Sequence, residues 1–200
     1  LLAAFLSILS KKGAPYLLML VATFNVIVSF FLKQGVVSIG GFELPFGITL
    51  FVDTYSQIGL ILVNTLFFMV AILNMKNYSK YASILLVSLV GLNGLLLTGD
   101  LFNLFVFLEI AGISAYILTT SHKKPVSTFQ YLVMGSIGSS LYLFGLIILY
   151  SMFGTLNMMH MVRLINLSYV RYEDLILPFT LMFIGLGVEV KLLPFNAWVK

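Results

Sequence analysis

Read from end to end, the chain is a succession of apolar stretches, most close to bilayer-spanning length, separated by short polar breaks. A hydrocarbon core about 30 Å thick is crossed by about 20 helical residues rising 1.5 Å each. The stretches are Leu1–Ser10, Ala14–Leu32, Leu50–Leu73, Tyr81–Thr98, Leu101–Thr119, Phe129–Phe153 and Leu175–Leu193. The first is short, about 15 Å as a helix. Inside a bilayer every backbone polar group must be bonded within the protein, so such stretches become helices. The expectation is an all-α polytopic transmembrane bundle of about seven spans. Charge supports it: 9% of 200 residues are charged, against about 25% in soluble domains. That excludes a cytosolic enzyme, a nucleic-acid binder and a disordered tail. The absence of cysteine removes disulfides, thiolate metal sites and iron–sulfur clusters.

The breaks carry topology. Gly35–Phe46 is rich in glycine and polar groups and reads as an extramembrane hairpin within residues 35–49. Gly99 and Asp100 alone join two spans, making them antiparallel neighbours. Residues 154–174 mix apolar side chains with Asn157, His160, Arg163, Arg171, Glu173 and Asp174 and read as an interfacial helix, disrupted near Asn166. On one side lie Lys11, Lys12, Lys76, Lys80, Lys123 and Lys124; the other holds Lys33, Arg163 and Arg171. By the positive-inside rule the N-terminus is outside and Lys200 inside. Lys11 and Lys12 follow the first apolar run instead of preceding it, which argues against a signal peptide. No internal repeat is visible.

A charge at the bilayer centre costs roughly 2.5–3.5 kcal/mol on insertion scales. Three charges are placed there. Glu109 is about 13 Å into its span, among Phe105, Val106, Phe107, Leu108 and Ile110. It is either a proton-handling carboxyl or a neutral or salt-bridged structural one. Lys191 falls at a depth where a long side chain could reach Glu109, or it snorkels to the inner surface. Pro194 follows it and favours a broken helix. Glu189, two residues from Lys191, points about 200° away around the helix. It therefore meets another partner or another subunit. Asp100 suits an N-cap and stands with Glu189 as an auxiliary candidate. Gly135, Ser136, Gly138, Ser139 and Ser140 form a small-residue face for close helix approach. Methionine and phenylalanine read as packing. His122 and His160 lack a second ligand nearby, so neither a metal site nor a cofactor is expected.

At this point the residues match a known family. Thr98–Ile113, TGDLFNLFVFLEIAGI, resembles the DLFN-x-FV-x-x-E stretch of the fifth helix in the D-type polypeptide of Mrp-type cation/proton antiporters and related hydrogenase subunits. Gly185–Lys200, GLGVEVKLLPFNAWVK, resembles the seventh-helix pattern of antiporter-like subunits, including those of respiratory complex I. Gly40–Asp53 is similar to the stretch between the second and third helices. The resemblance implies the first half of a fourteen-helix fold. Leading helices would occupy residues 1–79, and an incomplete five-helix repeat with a broken seventh helix residues 80–200. A fragment, or one short member of a split system, is expected. Glu109 and Lys191 would be its proton relay. Asn196 stands where many members have histidine, and Lys200 where a PDAH-like continuation usually begins. Glu189 lies outside the common pattern.

The expected function is translocation of H⁺ or of Na⁺ and H⁺, with no catalytic chemistry in the chain itself. The expected setting is a prokaryotic cell membrane, beside other antiporter-like and small membrane subunits of an Mrp antiporter, hydrogenase or NADH dehydrogenase complex. Nucleic acid is not an expected partner. A solute carrier and a structural anchor of a redox complex are the rival readings.

Overall fold

The computed structural model describes residues 1–10, 12–42, 47–73, 81–120, 125–167 and 170–195. Lys11, Lys76, Lys80, Lys123, Lys124, His122, Asn196 and Lys200 lie outside them, so much of the charge count above does too. Among the described residues the helices are α1 (Leu2–Leu9), α2 (Ala14–Phe31), α3 (Thr54–Leu73), α4 (Ala82–Leu97), α5 (Leu101–Thr120), α6 (Pro125–Phe153), α7 (Met158–Leu167) and α8 (Tyr172–Glu189). Strands β1 (Gly35–Ser38) and β2 (Thr49–Val52) pair antiparallel between α2 and α3. Each of the seven expected spans corresponds to a helix, α1 to α6 and α8. Four stretches, Ala14–Phe31, Thr54–Leu73, Leu101–Thr119 and Thr128–Phe153, are both long and apolar enough to cross a membrane. Large apolar side chains such as Phe24, Phe30, Leu62, Leu66, Phe144 and Phe183 point outward. Such a surface belongs against lipid or other protein and not against water. The chain is an integral membrane protein.

Several boundaries differ from those expected, each for a local reason. The third span was expected from Leu50, but Thr49–Val52 is β2 and the helix starts at Thr54. A short β-branched and aromatic run abutting a helix cannot be separated from it by periodicity. Asp53 marks the true start: its Oδ1 accepts the Ser56 N–H at 2.7 Å, while Ser56 Oγ accepts the Asp53 N–H at 2.8 Å. This reciprocal capping satisfies two backbone donors of the first turn. The hairpin therefore continues past Phe46 into β2. Of residues 154–174, expected as an interfacial helix, Met158–Leu167 form α7, unbroken at Asn166. Glu173 and Asp174 belong to the first turn of α8, where negative charge suits the helix dipole. Both pair with the exposed Arg171 there, at 3.9 and 3.4 Å. α6 begins at Pro125 instead of Phe129, proline being well suited to a first helical position.

Polar groups between spans are bonded across helices. Asn64, buried on α3, donates to Ser29 Oγ of α2 at 3.1 Å and accepts from Asn93 of α4 at 3.0 Å. One packing centre gathers Leu18, Ala71, Ala82, Leu85 and Leu86 from α2, α3 and α4, with Ala4 of α1. A second gathers Tyr142, Leu146, Leu149, Met161, Leu175 and Met182 from α6, α7 and α8.

The crossing of α6 and α8 is built on glycine. A Cβ on Gly185 would come within 2.5 Å of the Gly138 carbonyl oxygen and 2.6 Å of the Tyr142 nitrogen. The backbones therefore touch, as small residues allow in membrane bundles. The expected small-residue face is thus divided. Gly135 and Gly138, one turn apart, face protein, while Ser136 and Ser140 lie on the exposed side. Ser140 turns its hydroxyl back to the Ser136 carbonyl at 2.6 Å.

Three connections meet at one end of the bundle. The Gly99 N–H donates to Thr49 O at 2.8 Å, the Leu101 N–H to Leu156 O at 2.9 Å, and the Met158 N–H to Gly99 O at 2.9 Å. The buried Asn157 side chain donates to Thr49 Oγ1 at 2.8 Å. The hairpin, the α4–α5 turn and the α6–α7 turn, expected on a single side, form one hydrogen-bonded rim.

Candidate functional site

Glu109 is partly buried on α5, about 12 Å along the helix from Leu101 at the rim. Gly112 and Tyr116 follow at three and seven residues, on the same face. Glu189 is the last residue of α8. That helix stops four residues before the expected Leu193, and the stop is a Schellman motif. The Lys191 N–H donates to Val188 O at 3.3 Å, and the Leu192 N–H to Gly187 O at 2.9 Å. Lys191 has a φ of 59°, a left-handed conformation usually given to glycine at this position. For a side chain with a Cβ it costs about 1–2 kcal/mol. Pro194 follows three residues after Lys191 and has no N–H to offer the Val190 carbonyl, which suits a helix that breaks here.

Because Lys191 is off the helix, the 200° separation from Glu189 does not apply, and both residues come to a pair of tyrosines. Lys191 Nζ donates to Tyr131 Oη of α6 and stands 4.1 Å from the centre of the same ring. The Tyr116 hydroxyl donates to the Glu189 carboxylate, 3.1 Å from Oε1 and 3.4 Å from Oε2. The two rings meet edge to face, with centroids 4.5 Å apart at 86°, a favourable aromatic geometry.

Space for this arrangement comes from two glycines. A Cβ on Gly112 would reach 2.5 Å from Glu189 Oε1, and one on Gly135 would collide with Tyr116 Oη. Glu189 Oε1 thus lies over Gly112, one turn along α5 from Glu109. Among the described residues Glu109 forms no hydrogen bond or ion pair, so the structure does not join it directly to Lys191. α5, α6 and the end of α8 thus surround one acid–base cluster.

Asp100 is apart from it, at the rim, where its Oδ1 accepts the Asn103 N–H at 2.8 Å and caps α5. Burial pushes its carboxyl above the ordinary range, and the N–H groups of Asn103 and Phe102 pull it back. His160 lies on α7, its own N–H donating to Asn157 Oδ1 at 3.0 Å. Among the described residues no three His, Cys, Asp or Glu side chains gather as a metal site. Sequence reasoning missed Tyr116 and Tyr131. The spacing of Glu109, Gly112 and Tyr116 on one helical face was the available signal for the first.

The fold and this cluster define a class: a polytopic helical membrane protein carrying acid and base groups where its spans pack together. Residues 98–200, just over half of the chain, match the family described as NADH:quinone oxidoreductase/Mrp antiporter, TM. The chain belongs to the NADH:quinone oxidoreductase/Mrp antiporter family. It is 31% identical over 172 residues to NADH-quinone oxidoreductase subunit N of Desulforudis audaxviator, covering 80% of this chain and 34% of that protein. It is 35% identical over 132 residues to the D-type polypeptide of a Na(+)/H(+) antiporter from Alkalihalophilus pseudofirmus, covering 62% of this chain and 27% of the relative. Among solved structures, a chain of the membrane-bound sulfane sulfur reductase, an archaeal respiratory membrane complex, superposes with a TM-score of 0.87 at 32% identity. The match covers 98% of this chain and 43% of that one. The chain thus spans about a third or less of the length of these curated relatives.

Proposed function

We propose that this chain is part of a subunit that translocates protons, or exchanges Na⁺ for H⁺, with Glu109 and Lys191 as a gated relay. The observation that carries this reading is the position of Lys191, on non-helical backbone, inside a cluster walled by three packed helices. Non-helical backbone at membrane depth is tolerated where it is enclosed in protein or lines a watery cavity, and intramembrane charges mark ion paths. A buried lysine's hold on its proton depends on whether a carboxylate stands beside it. Motion that brings Glu109 and Lys191 together or parts them therefore loads or releases a proton, each unit of pKa corresponding to about 1.4 kcal/mol.

The names of the relatives support a setting among other membrane subunits, in a respiratory or antiporter complex of a prokaryotic cell membrane. The lysine distribution supports an N-terminus outside. The test uses the full-length subunit in its complex, reconstituted in vesicles with a pH-sensitive dye. Glu109→Gln and Lys191→Ala are each expected to lower proton movement by about a hundredfold or more with assembly intact. Wild-type flux in both variants refutes the relay.

A further inference from the structure

We infer that Glu189, held by Tyr116, is the carboxylate with which Lys191 exchanges its proton. Tyr116 and Tyr131 act as positioning residues that hold acceptor and donor at a shared aromatic contact. This rests on the relay proposed for Glu109 and Lys191, and adds a third ionisable group to it. Glu189 is held by the tyrosine that packs on the ring holding Lys191, and it overlies Gly112, one turn from Glu109. Glu109 forms no ion pair with Lys191 among the described residues. A carboxylate at this depth is costly, yet Glu189 is specifically accommodated. It has a hydroxyl donor from α5, and glycines on two helices leave room for the Tyr116–Glu189 bond.

The step balances as a proton transfer. An N–H bond of the Lys191 ammonium breaks and an O–H bond forms on the Glu189 carboxylate, leaving a neutral amine and a neutral acid; no electrons change owner. Reversal reloads the lysine. For the transfer, Lys191 Nζ leaves Tyr131 Oη and approaches the Glu189 carboxylate across the contact between the two tyrosine rings. The ionisable groups facing Glu189 are Glu109 and Tyr116 from α5, Tyr131 from α6 and Lys191 from the end of α8.

The experiment measures vesicle proton flux against pH for the intact complex. Glu189→Gln is expected to reduce flux about a hundredfold, while Glu189→Asp, which keeps the acid, restores most of it. Tyr116→Phe removes one hydroxyl and little volume. It is expected to assemble normally and to move the pH of half-maximal flux by about half a unit or more. Wild-type flux and pH profile in Glu189→Gln, with Glu109→Gln and Lys191→Ala inactive, overturns this inference and leaves the relay standing. Activity in all three variants overturns both. Should Glu189→Gln fail to assemble, an unchanged pH profile in Tyr116→Phe overturns the inference by itself.

Discussion

Asp53 and Asp100 both cap helices outside the spans, and acid acts on them in opposite directions. The Asp53 carboxyl is exposed, and the Ser56 N–H and hydroxyl hold it below the ordinary range. Its contribution is present above that range and is lost as pH falls through the lowered value. Asp100 is raised by burial. Its contribution is complete below the ordinary carboxylate value and is lost as pH rises through the raised one. Asparagine is an equally good cap, so Asp100→Asn should raise Tm in detergent near neutral pH. That gain should shrink toward about pH 4; a gain independent of pH would contradict the burial argument. Legibility at this scale followed charge. Glu109, Glu189 and Lys191 stood out because an ionised group in an apolar run is expensive. Tyr116 and Tyr131 did not, because an aromatic residue in such a run looks like packing until its hydroxyl is seen to have a partner.

Among elements, the crossing of α6 over α8 governs the site, since it sets Tyr131 against the end of α8. Gly138→Leu should force the helices apart. Overpacking of this kind costs about 1–3 kcal/mol, and here it would also pull Lys191 from Tyr131. Ser136→Leu, two residues away on the exposed face, should leave stability within about 0.5 kcal/mol of wild type. Comparing the two by thermal melts in detergent tests the division of the face. The helices were readable because spanning length and apolarity are strong signals. β2 was not, because Thr49–Val52 runs into α3 without a change in composition. The break in α8 was readable, but not its position four residues before Leu193. Pro194 is a visible breaker, whereas a left-handed lysine leaves no mark in sequence. The small-residue stripe was seen, but which of its residues face protein depends on helical phase against a partner.

For the whole molecule, alternation of the connections was legible, and their union into one rim through Thr49, Gly99 and Asn157 was not. Backbone hydrogen bonds between distant segments have no residue code. The chain has no cysteine, which suits labelling in a cysteine-free full-length background. With the N-terminus outside, Ser38→Cys on the hairpin should react with a membrane-impermeant maleimide added to intact cells. Ser10→Cys, beside the first basic pair, should react only after the membrane is opened. The reverse pattern would invert the topology. The rim also has a mechanical consequence. A helix held at the rim can act as a lever, and a given tilt displaces each of its atoms in proportion to distance from that fulcrum. Along α5, Glu109 stands about 12 Å from Leu101 and Tyr116 about 22 Å. Rocking of α5 about the rim therefore moves Tyr116 almost twice as far as Glu109, so the hold on Glu189 shifts more than the first carboxylate does.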